Sequence, residues 1–90
     1  MSWHGMILTD LEFIEFKQAF EHEYQREMNA GGNRGYTLYG RKRDSGDHAV
    51  FVPPEALHLF QQIPTWKRRL RRHDGMPDLS GFKAVPVRHE

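Results

Sequence analysis

Ninety residues with 13 Lys plus Arg, 12 Asp plus Glu, six His and no Cys describe one small polar domain at a net charge of +1. At this length a single core is all the chain can build, and the missing cysteine excludes disulfides, thiolate zinc sites and thiol nucleophiles. An apolar share of 38% supports folding, while the early apolar run Met6-Ile7-Leu8 is too short for a signal segment or membrane span, so a soluble cytoplasmic protein is expected.

The spacing predicts a first helix over 10–28. Thr9 and Glu12 form a capping box, in which the hydroxyl accepts the Glu12 amide and the carboxylate reaches back to the Thr9 amide. Leu8 and Phe13 stand at the positions of a hydrophobic staple, and Asp10, Glu12 and Glu15 suit the positive end of the macrodipole. Phe13, Phe16, Phe20, Tyr24 and Met28 recur at three and four, with Leu11 and Ile14 expected to widen that stripe. Asn29-Ala30-Gly31-Gly32 stops the helix, since glycine adopts the left-handed cap conformation freely. The glycines of Gly31-Gly32-Asn33-Arg34-Gly35 follow a helix and precede strand formers. That order is the reverse of a phosphate loop, so they read as a cap and linker.

Residues 36–43 and 48–52 predict an antiparallel hairpin around the turn cluster Asp44-Ser45-Gly46-Asp47. With Ser45 and Gly46 at its centre, Arg43 faces His48, Arg41 faces Val50 and Gly40 faces Phe51. Leu38, Gly40, Ala49 and Phe51 then share one side, with the Phe51 ring covering Gly40. The opposite side carries Tyr39, Arg41, Arg43, His48 and Val50.

Pro53-Pro54 ends the second strand and opens another helix, with Ala56, Leu57, Leu59, Phe60 and Ile63 as its apolar face. Pro64 breaks it, and a second piece runs from Pro64 to about His73, docked through Trp66 and Leu70. Its remaining positions are basic, with Lys67, Arg68, Arg69, Arg71 and Arg72 falling in six residues. The domain is expected to occupy 1–75, and 76–90 to form a tail that is partly ordered or adds an edge strand near 82–87. The fold class is therefore α+β: a long N-terminal helix, a hairpin, a C-terminal helix broken at Pro64 and a short third strand. Two strands alone are marginal, which argues for that third strand or for a second copy extending the sheet.

Charge is segregated. Residues 1–30 hold six acids against two bases (−4), residues 31–90 hold eleven bases against six acids (+5), and the sum returns +1. Either the acidic helix neutralises the basic one, or the basic block marks an anionic partner; the first is the commoner use of such runs. Glu55 with His58, and Glu15 with His22, have helical metal spacing but no third ligand, so no metal or cofactor is expected. The available Ser and Thr residues lie outside any nucleophile elbow, and the carboxylates belong to exposed or turn positions, so an enzyme is not expected. Arg34-Gly35-Tyr36 matches the first positions of an RNA-recognition strand motif, but Thr37 and Leu38 break the match.

The leading expectation is a non-enzymatic module that binds a protein partner or itself, without membrane attachment. The rival is a nucleic-acid-binding accessory protein. Its surface would combine Tyr39, Arg41, Arg43 and His48 on the hairpin with Lys67, Arg68, Arg71 and Arg72 on the basic helix 67–72. The position of the acidic helix discriminates the two, because neutralised bases cannot grip phosphates.

Overall fold

The computed structural model describes residues 2–31, 37–61 and 63–85. The chain runs β1 (Trp3–Leu8), α1 (Asp10–Asn29), β2 (Tyr39–Lys42), β3 (His48–Val52), a 3₁₀ turn (Pro54–Ala56), α2 (His58–Gln61), α3 (Pro64–Arg69), β4 (Arg71–His73) and β5 (Lys83–Ala84). The fold class is the expected α+β domain, but the sheet has five strands in the order β4-β1-β3-β2-β5, with every neighbouring pair antiparallel. Up to β4 this is a split β-α-β plait.

β1 supplies what the hairpin lacked. It pairs with β3 from His4 opposite Val52 to Leu8 opposite His48, and with β4 from Trp3 opposite His73 to Gly5 opposite Arg71. The shortage of strands that argued for a second copy is thereby removed within one chain.

The capping box forms as expected: Glu12 N donates to Thr9 Oγ1 at 3.2 Å, and Thr9 N donates to Glu12 Oε1 at 2.9 Å. α1 ends at Asn29, followed by Ala30 and by Gly31 at φ 92°. The linker at 32–36, including Arg34-Gly35-Tyr36, lies outside the described residues. Phe16, Phe20 and Tyr24 are buried and Phe13 packs partly buried beside them. Leu11 and Ile14 do not widen that stripe, because at 66% and 53% exposure they point away from the sheet.

The hairpin register differs from the expectation by one residue. Arg43 N donates to Asp47 O at 2.8 Å, and Gly46 N donates to Arg43 O at 2.9 Å with Gly46 at φ 91°. This longer loop, with its left-handed glycine, pairs Lys42 with His48, Arg41 with Ala49, Gly40 with Val50 and Tyr39 with Phe51. A single-residue slip moves side chains to the other face. Val50 is therefore buried rather than beside Arg41, while Phe51 and Ala49 join Tyr39 and Arg41. Gly40 faces Phe13 and Val85; the glycine under the Phe51 ring is Gly5 on β1.

The second predicted helix is reduced to the 3₁₀ turn and the four-residue α2. Pro64 does interrupt the helical path, with Ile63 extended (φ −105°, ψ 103°) ahead of α3. α3 ends at Arg69, Leu70 is extended, and Arg71–His73 forms β4. The basic helix 67–72 is thus a helix end followed by a strand. The core lies between the sheet and the helices: Met6, Leu8, Leu38, Val50 and Val52 from the sheet side meet Phe16, Phe20, Phe60, Trp66 and Leu70. Phe16 stacks on Phe60 at 4.9 Å and meets the edge of Trp66 at 5.3 Å.

Candidate functional site

Because the helices pack against one face, the other face of the sheet is left without a helical layer. Alternation from the observed register places Trp3, Gly5 and Ile7 of β1 there, with Tyr39 and Arg41 of β2, Ala49 and Phe51 of β3, and Arg71 and His73 of β4. Trp3, Tyr39, Phe51 and His73 are half-buried, whereas Ile7, Arg41 and Arg71 are exposed.

The rings are organised around Gly5. A Cβ built there would stand 2.9 Å from Phe51 Cε1. The missing side chain therefore allows the Phe51 ring to lie across β1 and meet His73 of β4 edge-on, with ring centres 5.2 Å apart. Phe82, just before β5, approaches Phe51 at 5.2 Å, and Trp3 lies 6.1 Å from Tyr39. Aromatic faces thus run across the sheet from β4 to β2.

Two open clefts meet at Ala49. One, of about 350 Å³, is lined by Gly5, Ile7, Phe51, Arg69, Arg71 and His73; the other, of about 460 Å³, by Arg41, Arg43, Asp44, Ser45 and Phe82. Both clefts carry guanidinium groups at their walls, so the face combines stacking surface with cationic donors.

The acids of α1 leave most of these bases unneutralised. Arg69 is the exception: Nη1 bonds to Glu12 Oε2, and Nη2 donates to the Ile7 carbonyl at 2.9 Å. Glu12 also accepts from Thr9, so this carboxylate joins the start of α1 to the end of α3. The Arg69 hydrogen bond, followed by that of the Thr9 amide, lowers the Glu12 pKa to about 2. Arg43 pairs with Asp47 at 3.4 Å. Among the described residues, no carboxylate lies within 4 Å of Arg41, Lys67, Arg68, Arg71 or Arg72. Arg71 Nη1 donates to the Arg68 carbonyl at 2.6 Å, which steadies the side chain against the end of α3 and leaves further donors open.

The residues singled out in the sequence are therefore divided. Tyr39, Arg41 and Arg71 share the outer face, and Arg43 stands in the loop at its rim. His48 does not join them: it stacks on Phe13 at 4.3 Å on the helix side, and its Nε2 lies 2.5 Å from Asp10 Oδ1. That contact, then the charge of Lys42, holds the Asp10 carboxyl below its ordinary value. Lys67 and Arg68 are exposed on α3, and Arg72 takes the other side of β4 from Arg71, opposite His4. Trp3, Gly5, Phe51, His73 and Phe82 join the site unforeseen. The short apolar run Met6-Ile7-Leu8, bounded by Gly5 and the Thr9 helix cap, was the available signal for β1.

Among the described residues, no group of three or more His, Asp or Glu side chains is placed to hold a metal ion. His58 is turned to Glu27, with Nε2 3.1 Å from Oε2. No helix among the described residues is long and apolar enough to cross a membrane. No family model matches the chain, and neither a curated protein nor a solved structure is significantly similar to it.

Proposed function

We propose that the chain is a non-enzymatic, cytoplasmic binding module whose outer sheet face takes single-stranded nucleic acid. The observation that carries this reading is the row of half-buried rings, Trp3, Tyr39 and Phe51, flanked by Arg41 and Arg71 with no carboxylate within ion-pair distance among the described residues. Bases of a single strand expose π-faces that such rings can stack on, at about 1–3 kcal/mol per base, while arginines contact the phosphates between them. A duplex hides its bases and cannot use the rings. The modest net charge of +1 implies binding that is weak, and two arginine contacts imply a shallow salt slope of about −1.4.

The deciding measurement is fluorescence anisotropy of a labelled single-stranded oligonucleotide against its duplex across a salt series. The single strand is expected to bind more tightly, and the paired change Arg41→Gln and Arg71→Gln to lower the salt slope by about 0.7 for each phosphate contact removed. Phe51→Ala should weaken binding about five- to 150-fold without changing that slope, as expected for loss of one stacked base. Equal affinity for both forms, or an unchanged slope in the arginine variant, would refute the reading.

A second reading, a protein partner or a second copy, is favoured by Leu11 and Ile14. These lie three apart on α1, on a side without packing partners in the core, at 66% and 53% exposure. Sedimentation showing a concentration-dependent dimer that Leu11→Ser with Ile14→Ser abolishes would support it.

A further inference from the structure

Residues 74–82 connect β4 on one edge of the sheet to β5 on the other, so the chain must cross a face to make the connection. Its contacts identify the outer face. Phe82 lies against Phe51 with ring centres 5.2 Å apart. A Cβ built on Gly81 would stand 3.7 Å from Cδ, Nε and Cζ of Arg41, so that side chain runs alongside the crossing backbone. Gly81 itself has φ 79°, a conformation that glycine adopts without strain.

The crossing segment covers both kinds of group that the face offers. Phe82 gives Phe51 an aromatic partner, and the backbone at Gly81 lies along the Arg41 side chain. We propose that residues 78–82 act as an internal pseudo-ligand, with the Phe82 ring in place of a base and the backbone at Gly81 in the path of a phosphate reaching Arg41. An incoming single strand must displace them.

The attachment suits displacement. Phe82 N donates to the Leu79 carbonyl and Ser80 N to Asp78 Oδ1, both bonds being internal to the segment. Among the described residues, no backbone hydrogen bond joins 74–82 to the sheet. The segment is retained at its far end by the two-residue β5, by Val85 N donating to the Leu38 carbonyl at 2.8 Å, and by side-chain packing of the buried Pro77. Displacing Phe82 thus breaks ring contacts but no ladder.

This inference rests on the single-strand reading and is tested so that the two can fail separately. Affinity for a labelled single-stranded oligonucleotide is measured for the full chain, for Gly81→Ala with Phe82→Ala, which strains the seated backbone and removes the masking ring, and for Phe51→Ala. If the segment is open in about a tenth of molecules, the double variant should bind about tenfold more tightly, because apparent affinity scales with the competent fraction. Phe51→Ala should bind more weakly than the parent. Hydrogen exchange on the unaltered protein supplies a readout independent of whether the double variant folds. Saturating oligonucleotide should accelerate exchange at Ser80 and Phe82, whose amide bonds lie within the displaced segment, while protecting β1 and β3. A parent that binds, with those amides becoming slower, would overturn the pseudo-ligand and leave the single-strand reading standing. Failure of parent and double variant alike to bind would overturn both. Binding by the double variant alone would support masking in its strongest form.

Discussion

Replacing Phe16 with Ala tests the placement of the core, and hence the absence of a helical layer from the opposite face. Phe16 is fully buried, stacked on Phe60 and edge-on to Trp66, so the ring joins α1 to both short helices. A buried aromatic side chain removes about 150–250 Å² from water, worth about 4–6 kcal/mol at about 25 cal/mol per Å². Truncations of this kind cost about 3–5 kcal/mol once relaxation is included. A 90-residue domain has about 5–13 kcal/mol to lose. At about 4–8 °C per kcal/mol, the melting temperature should fall by about 12–40 °C. Thermal and urea unfolding followed by circular dichroism measure the loss, with Leu11→Ala as the exposed comparison, expected within about 0.5 kcal/mol of the parent. A fall of less than about 5 °C for Phe16→Ala with an unchanged urea slope would refute this packing and the face assignment derived from it.

Gly5→Ala should move the Phe51 ring off β1, since its Cβ would meet Cε1 at 2.9 Å, at a cost of about 1–3 kcal/mol; loss of the Phe51–His73 proton contact by NMR checks the displacement. Acid titration should show a contribution from Glu12. Its folded pKa of about 2 lies below the ordinary 4.5, so the stabilisation is fully present above pH 4.5 and is lost as pH falls toward 2. Glu12→Gln should flatten stability across that window, and an unchanged acid limb would argue against the Arg69 contact. Leu11→Ser with Ile14→Ser should leave stability within about 1 kcal/mol, measured by urea unfolding, because neither side chain belongs to the core.

The elements that sequence made legible are those with local causes. α1 has a capping box, a Phe stripe and a glycine stop, and each signal acts within a few residues. Pro64 acts on the residue before it, and Ile63 is indeed extended. β1 was hidden because Trp3–Leu8 gains its ladder only from partners 40 or more residues away, on β3 and β4. Propensity also gave no warning at Arg71, where helix formers continue past the end of α3. Tertiary pairing overrode them, since Arg71–His73 completes the edge of β1.

These long-range effects determine what the basic block can do. In a continuous helix, Lys67, Arg68, Arg71 and Arg72 would form neighbouring ridges that one acidic helix could cover. In the observed strand, Arg71 and Arg72 alternate to opposite faces, and among the described residues Arg69 is the one member of the block that pairs with an acid of α1. The one-residue change in hairpin register places Arg41 and Phe51 on the same face as Arg71. Charge segregation along the sequence therefore does not become charge cancellation in space. The acids flank α1 on the helical side, while Arg41 and Arg71 bracket the aromatic row on the other. A single strand that stacks on that row meets cationic donors from both ends, which is why the outer face, rather than the helix 67–72, is where binding should be sought.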